Sequence, residues 1–183
     1  GDRIWGNSAY SKVIYNLCNR LKKDHQIAHV PMSKALRGGD FNYYGILINP
    51  SSEHPFSEDV AIDHYIDFKA DMLITAKEPW VFNHIYNMAV NFVPMAIIDH
   101  SPVSPGITSK LHSAFKVIAI SRFGQRELKQ KGIESTYVPH GVDTNVYRPF
   151  NEEERKLCRK MWYIPEDAFL VLTVSMNRTR KLL

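Results

Sequence analysis

Three clusters of residues in this sequence have the types and spacing to do chemistry. Asp99-His100-Ser101 sits where an apolar run ends. A histidine at a strand end can hydrogen-bond a sugar hydroxyl or present its backbone carbonyl, and Asp99 can orient its ring. Trp5-Gly6-Asn7-Ser8 immediately precedes a helical pattern. Backbone N–H groups at a helix start attract anions and polar ligands, and Gly6 lets a ligand approach the main chain. The plain alternative is an N-cap turn. Arg178, Arg180 and Lys181 place three cations within four residues after another apolar run. They suit a diphosphate clamp, or else a solvated basic turn.

Other chemistries lack their residues. No G-x-S-x-G nucleophile motif accompanies His100, so the Asp-His pair does not read as part of a triad. His25 and His29 are four apart with no third ligand nearby and no H-E-x-x-H, so no metal site is expected. Asp59, Asp63 and Asp67 repeat every four residues and read as a solvated acidic helix face.

The elements that must position the clusters alternate in type. Tyr10, Val13, Ile14, Leu17 and Leu21 form one helical stripe, capped by Asn7 or Ser8. Strands are predicted near 26–30 and 44–48. A helix opens at Ser57 and runs through Val60, Tyr65 and Phe68, and 72–75 is a short strand. Pro79 suits a first helical position, predicting a helix through Tyr86 to 89. A strand over 92–98 leads into a Pro-rich loop and a short helix to about 114. Then come a strand at 116–120, a helix at 122–131 and a strand at 136–138. A charged helix at 152–162 and a strand at 169–174 complete the pattern. Such alternation predicts an α/β fold, a Rossmann-like doubly wound parallel sheet whose ligands gather at the carboxyl ends of the strands.

Between the last two pairs of elements lies Tyr137 to Pro149, Y-V-P-H-G-V-D-T-N-V-Y-R-P. Pro139, Gly141 and Pro149 exclude a helix interior, so the segment reads as a strand end opening into a shaped loop. A composition shift near 151–165 suggests a boundary. The expected organisation is a domain over 1–150, a linker and helix over 151–167, and the first strand and basic loop of a second domain over 168–183. The first helix has no strand before it and the last strand has no sheet after it, so a piece of a longer polypeptide is expected.

Composition sets limits on function. At 183 residues, with 44% apolar and 23% charged residues, the chain can bury a core like an ordinary globular protein. No apolar run approaches the roughly 20 residues that span a bilayer. Cys18 and Cys158 are far apart in sequence and fit reduced cytoplasmic thiols. A net charge of +4 with scattered Lys and Arg suits an anionic small molecule or a membrane surface better than nucleic acid.

Together the segments W-G-N-S-A-Y-S-K-V-I-Y-N-L, D-H-S-P-V-S-P-G, F-K-V-I-A-I-S-R-F-G-Q-R-E-L, Y-V-P-H-G-V-D-T-N-V-Y-R-P and I-P-E-D-A-F-L-V-L-T-V-S-M-N-R-T-R-K resemble the retaining GT-B glycosyltransferases of group 1, family 4. The resemblance covers nearly the whole chain. It implies an N-terminal acceptor-side domain followed by the start of a nucleotide-sugar domain, with a UDP- or GDP-linked sugar as donor substrate and no metal or other cofactor. His100 would contact the donor sugar near the reaction centre. Gly6 and Asn7 would lie by the donor phosphate, although many members carry two glycines there. Arg178 or Arg180, with Lys181, would neutralise the departing diphosphate. Ser121, Arg122, Gly141, Val142 and Asp143 would line the cleft or brace its hinge. The family's glutamate-containing donor motif falls beyond this chain, so residues 1–183 alone are expected to transfer no sugar.

The resemblance leaves the acceptor open: a hydroxyl of a sugar, a lipid or a small molecule. Lys12, Arg20, Lys22 and Lys23 offer peripheral membrane contact if the acceptor is a lipid, with a solvated helix face as the simpler account. Two other function classes share the fold: a nucleotide-sugar epimerase, which needs paired carboxylates, and a non-catalytic sugar- or nucleotide-binding module.

Overall fold

The structure, a computed structural model, describes residues 1–32 and 38–175. The chain divides into two compact units, Gly1–His140 and Gly141–Leu183. The boundary falls inside the Pro/Gly segment that follows Tyr137.

In the first unit, the described residues form seven short strands in two sheets. β1 (Ala28–His29) runs parallel to β3 (Ile46–Ile48), and β2 (Phe41–Tyr43) pairs antiparallel with β3. β4 (Leu73–Ala76), β5 (Phe92–Ala96), β6 (Ile118–Ala119) and β7 (Thr136–Tyr137) form an all-parallel sheet in that order. Parallel neighbours need crossovers, and helices supply most of them. α3 (Pro105–His112) links β5 to β6, and α4 (Arg122–Gln130) links β6 to β7. α1 (Ala9–Leu21) precedes β1, and α2 (Glu58–Asp67) lies between β3 and β4. This is a Rossmann-like α/β fold.

β5 is buried at every position, as a strand covered on both faces must be. Phe82, Phe92, Ile98, Leu111 and Leu128 belong to one core. Ile14 of α1, Ile46 and Ile48 of β3, Ala76 of β4 and Met95 of β5 form another. Pro94 lies within β5, although proline normally avoids central strands. It is tolerated because pairing to β6 begins one residue later, at Met95 opposite Ile118.

Three elements differ from the sequence expectation. The helix expected from Pro79 is two 3-10 turns, Pro79–Val81 and Ile85–Asn87. The buried carboxylate of Glu58 accepts the N–H groups of Asn83 (2.9 Å), His84 (2.6 Å) and Ile85 (2.7 Å). Those donors are then lost to an α-helical ladder. The strand expected over 44–48 is a hairpin, because Tyr44 and Gly45 both take positive φ (50° and 82°) and form the two-residue turn between Tyr43 and Ile46. The Asn42 side chain fixes it by accepting the Gly45 N–H at 2.8 Å. The strand expected over 169–174 is irregular. No ladder partner meets it among the described residues, and Phe169 and Val174 stand 94% and 86% exposed.

In the second unit the main element is α5 (Glu152–Met161), which is held by local chemistry. Asn151 and Glu154 form a reciprocal capping box, three glutamates occupy the first turn, and Arg159 and Lys160 occupy the last, as the helix dipole favours. No residue of α5 is buried. Among the described residues, no helix is long and apolar enough to cross a membrane.

Candidate functional site

The registers Ala76↔Met95, Ala96↔Ala119 and Ala119↔Tyr137 bring the carboxyl ends of β4, β5, β6 and β7 to one edge. Ligands of open parallel sheets gather at this edge. It carries Lys77-Glu78 after β4, Asp99-His100 after β5, and Ser121-Arg122 after β6.

His100 is held by its neighbour. Its Nδ1 lies 3.0 Å from Asp99 Oδ1. Beside a carboxylate, which only accepts, Nδ1 carries a proton, and in the neutral ring Nε2 is then the acceptor. Nε2 has no hydrogen-bond partner among the described residues, and the side chain is 40% exposed. His100 and Asp99 open into a depression shared with Trp80, Ser104 and Lys110. Trp80 is 43% exposed. Lys110 lies on α3, and its ammonium is bonded to the carbonyls of Trp80 (3.1 Å) and Phe82 (2.5 Å) and to Asn83 Oδ1 (3.0 Å).

The loop before α1 is closed by its own contacts. Ser8 is the N-cap: its Oγ accepts the Ser11 N–H at 3.0 Å and donates to Asp2 at 2.6 Å. The Gly6 N–H donates to the Arg3 carbonyl at 3.0 Å. A Cβ on Gly6 would sit 2.6 Å from Ser11 Oγ and 3.1 Å from the Arg3 carbonyl. The glycine is therefore required by local packing. Asn7 is exposed.

No family model and no curated protein matches this chain.

The loop reaches the end of β4 through Tyr10, a member of the helical stripe, and through Asp2, Lys77 and Glu78, which no sequence motif singles out. Tyr10 donates its hydroxyl to Glu78 at 2.8 Å, Lys77 lies 3.7 Å from Asp2 and 3.9 Å from Glu78, and the Lys77 ammonium stands 4.4 Å from the centre of the Tyr10 ring. Burial raises the Tyr10 pKa, and the Glu78 hydrogen bond and the charges of Glu78, Asp2 and Asp99 raise it further. Tyr10 is thus a fixed proton donor. The signal that could have found Lys77 and Glu78 is the one that found His100: both directly follow an apolar strand.

The remaining predicted residues divide. Ser121 caps α4, its Oγ accepting the Gly124 N–H at 2.9 Å. The Arg122 guanidinium lies 3.9 Å above the Tyr137 ring and donates to Gln125 at 3.0 Å. These contacts tie the start of α4 to β7. Gly141, Val142 and Asp143 are exposed and belong to the second unit, where Asp143 Oδ1 accepts the Asn145 N–H at 3.0 Å in an Asx turn. Arg178, Arg180 and Lys181 lie outside the described residues. Among the described residues, no three His, Cys, Asp or Glu side chains gather as metal ligands.

Proposed function

We propose that this chain is the acceptor-side domain of a retaining glycosyltransferase of the GT-B type, with a UDP- or GDP-linked sugar as donor. The observation that carries the reading is His100. It stands at the carboxyl edge of a parallel sheet, held by Asp99, with Nε2 free to meet a ligand. The exposed Trp80 beside it offers a flat apolar face to a sugar ring. The sequence resemblance supplies the reaction class.

In this reading the acceptor oxygen attacks the anomeric carbon as the bond to the diphosphate oxygen breaks. The acceptor proton passes to the departing diphosphate, on the same face of the sugar. His100 accepts a hydrogen bond from a donor-sugar hydroxyl. Arg178 or Arg180, with Lys181, balances the charge that develops on the diphosphate. Gly6 and Asn7 form a rigid wall near it. Ser121 and Arg122 act as braces, a role that fits their contacts with Gly124 and Tyr137. An epimerase needs paired carboxylates free to move protons. Glu78 and Asp2 are instead engaged by Tyr10, Ser8 and Lys77, which disfavours that alternative.

The test is incubation of the protein carrying both domains with UDP- and GDP-sugars and a panel of hydroxyl acceptors. The expected result is nucleotide release matched by a glycosylated acceptor of unchanged anomeric configuration. Release of a free epimer, or no turnover with nucleotide binding intact, overturns the proposal.

A further inference from the structure

Trp80 is exposed, yet the turn that carries it is gripped from several directions. It follows the buried Pro79 and shortly precedes the buried Phe82. The buried Glu58 carboxylate of α2 accepts the N–H groups of Asn83, His84 and Ile85. Lys110 of α3 donates to the carbonyls of Trp80 and Phe82 and to Asn83 Oδ1. The Tyr86 hydroxyl donates to the Pro79 carbonyl at 3.1 Å. A side chain whose backbone is fixed from α2, from α3 and from the next 3-10 turn is a platform set in advance. Such preorganisation removes an ordering cost from ligand binding.

The depression that Trp80 shares with Asp99, His100, Ser104, Ile107 and Lys110 has a definite chemistry. Ile107 is buried, so the indole is its main apolar surface. The indole N–H and His100 Nε2 have no hydrogen-bond partner among the described residues, and Ser104 caps α3 without spending its hydroxyl on the cap. These groups suit hydroxyls. Lys110 is the one lysine or arginine in the lining among the described residues. Its three N–H bonds already meet three oxygens of the turn, so none is left for a carboxylate or phosphate. The exposed Asp99 carboxylate repels an anion as well. An alkyl chain would find one apolar plane here rather than an apolar groove.

We infer that this depression is a subsite for an uncharged pyranose, stacked on Trp80, and that this ring is the acceptor. The acceptor role rests on the glycosyltransferase reading above. There His100 is committed to the donor sugar, so the ring on Trp80 is the second reactant. The reactive hydroxyl then lies at the His100 end of the depression, and Trp80 sets which acceptors are held there. Lys110 and Glu58 are positioning residues that act through the turn. Of the three acceptor kinds, sugar, lipid and small molecule, the inference selects a neutral sugar.

Two measurements test it. In the first, residues 1–183 are labelled with fluorotryptophan, which gives separate fluorine signals for Trp5, Trp80 and Trp162. The protein is titrated with methyl glucoside, methyl galactoside and methyl mannoside, and with glucuronate and butanol. At least one neutral pyranoside is expected to shift the Trp80 signal saturably while Trp5 and Trp162 stay still. Glucuronate and butanol are expected to bind at least about tenfold more weakly. In the second, the protein carrying both domains is assayed with UDP- and GDP-sugars and pyranoside acceptors. Trp80→Ala is expected to raise the acceptor KM about tenfold with kcat held within about twofold. Trp80→Phe, which keeps a flat face, is expected to recover most of that loss. The inference is overturned, with sugar transfer left standing, by any of three results: a Trp80 signal that no pyranoside moves, an equal response to glucuronate or butanol, or an acceptor KM indifferent to Trp80→Ala. Pyranoside binding at Trp80 with no transfer to any acceptor overturns the transferase reading and the acceptor role with it, and supports the pyranose subsite.

Discussion

Two loops at the carboxyl edge of the first unit make opposite uses of the same kinds of residue. The loop before α1 answers its polar groups internally: Ser8 with Asp2 and Ser11, Gly6 with Arg3, and His29 Nε2 with the Asp2 carbonyl at 3.0 Å. The loop after β5 answers one group and leaves the next open. Asp99 fixes one nitrogen of His100, and the other faces no partner among the described residues. Hydrogen bonds that close on themselves make a rigid wall, whereas a ring oriented on one side only is ready for a ligand.

That contrast can be broken from either side. The largest effect is expected at the open loop. On the proposed glycosyltransferase reading, His100→Ala should slow sugar transfer about 100-fold in the protein carrying both domains, measured as kcat/KM for nucleotide release. The closed loop should instead respond to acid. Burial first, then the neighbouring N-terminal charge, holds the His29 pKa near 3 against an ordinary 6.5. The unfolded chain therefore binds the proton first, and stability falls as pH drops from 6.5 toward 3. The loss should be about 2 kcal/mol by pH 5, read from urea midpoints, with His29→Gln flattening the slope.

Gly6→Ala forces a Cβ against Ser11 and the Arg3 carbonyl and should cost about 2 kcal/mol by thermal melting. Tyr10→Phe removes the Glu78 hydrogen bond and should cost about 1 kcal/mol on the same measurement. The smallest effect closes the circle: His100→Ala should shift stability by less than about 0.5 kcal/mol. A large loss of stability in that variant would place His100 with the closed loop and remove the contrast.

Much of this architecture is written locally and can be read locally. Apolar runs bounded by turn residues mark β4 and β5, and Ser121 before an amphipathic run marks α4. What escaped reading depends on partners distant in sequence. Nothing between Pro79 and Ala89 announces that Glu58, more than twenty residues earlier, takes its N–H groups. The Tyr44-Gly45 turn escaped because tyrosine seldom takes positive φ, so N-Y-Y-G lacks the usual Asn-Gly signal. At the site, His100 was visible because strand ends are visible. Tyr10 was read only as part of a helical stripe, since its link to Glu78 spans 68 residues. Gly6 reads from sequence as an opening for a ligand or as part of an N-cap turn; its tight packing against Ser11 and the Arg3 carbonyl is a contact that sequence does not display.

The Lys110 ammonium, shared among three oxygens of the Trp80–Asn83 turn, has a consequence for reactivity. An amine must free its lone pair to attack an electrophile, and this one must first let go of the turn. Lys110 should therefore be among the slowest lysines of the first unit to acylate. Mass-spectrometric footprinting with an amine-reactive reagent then becomes a clock for the opening of the turn that carries Trp80, with each modified Lys110 recording one excursion of that wall.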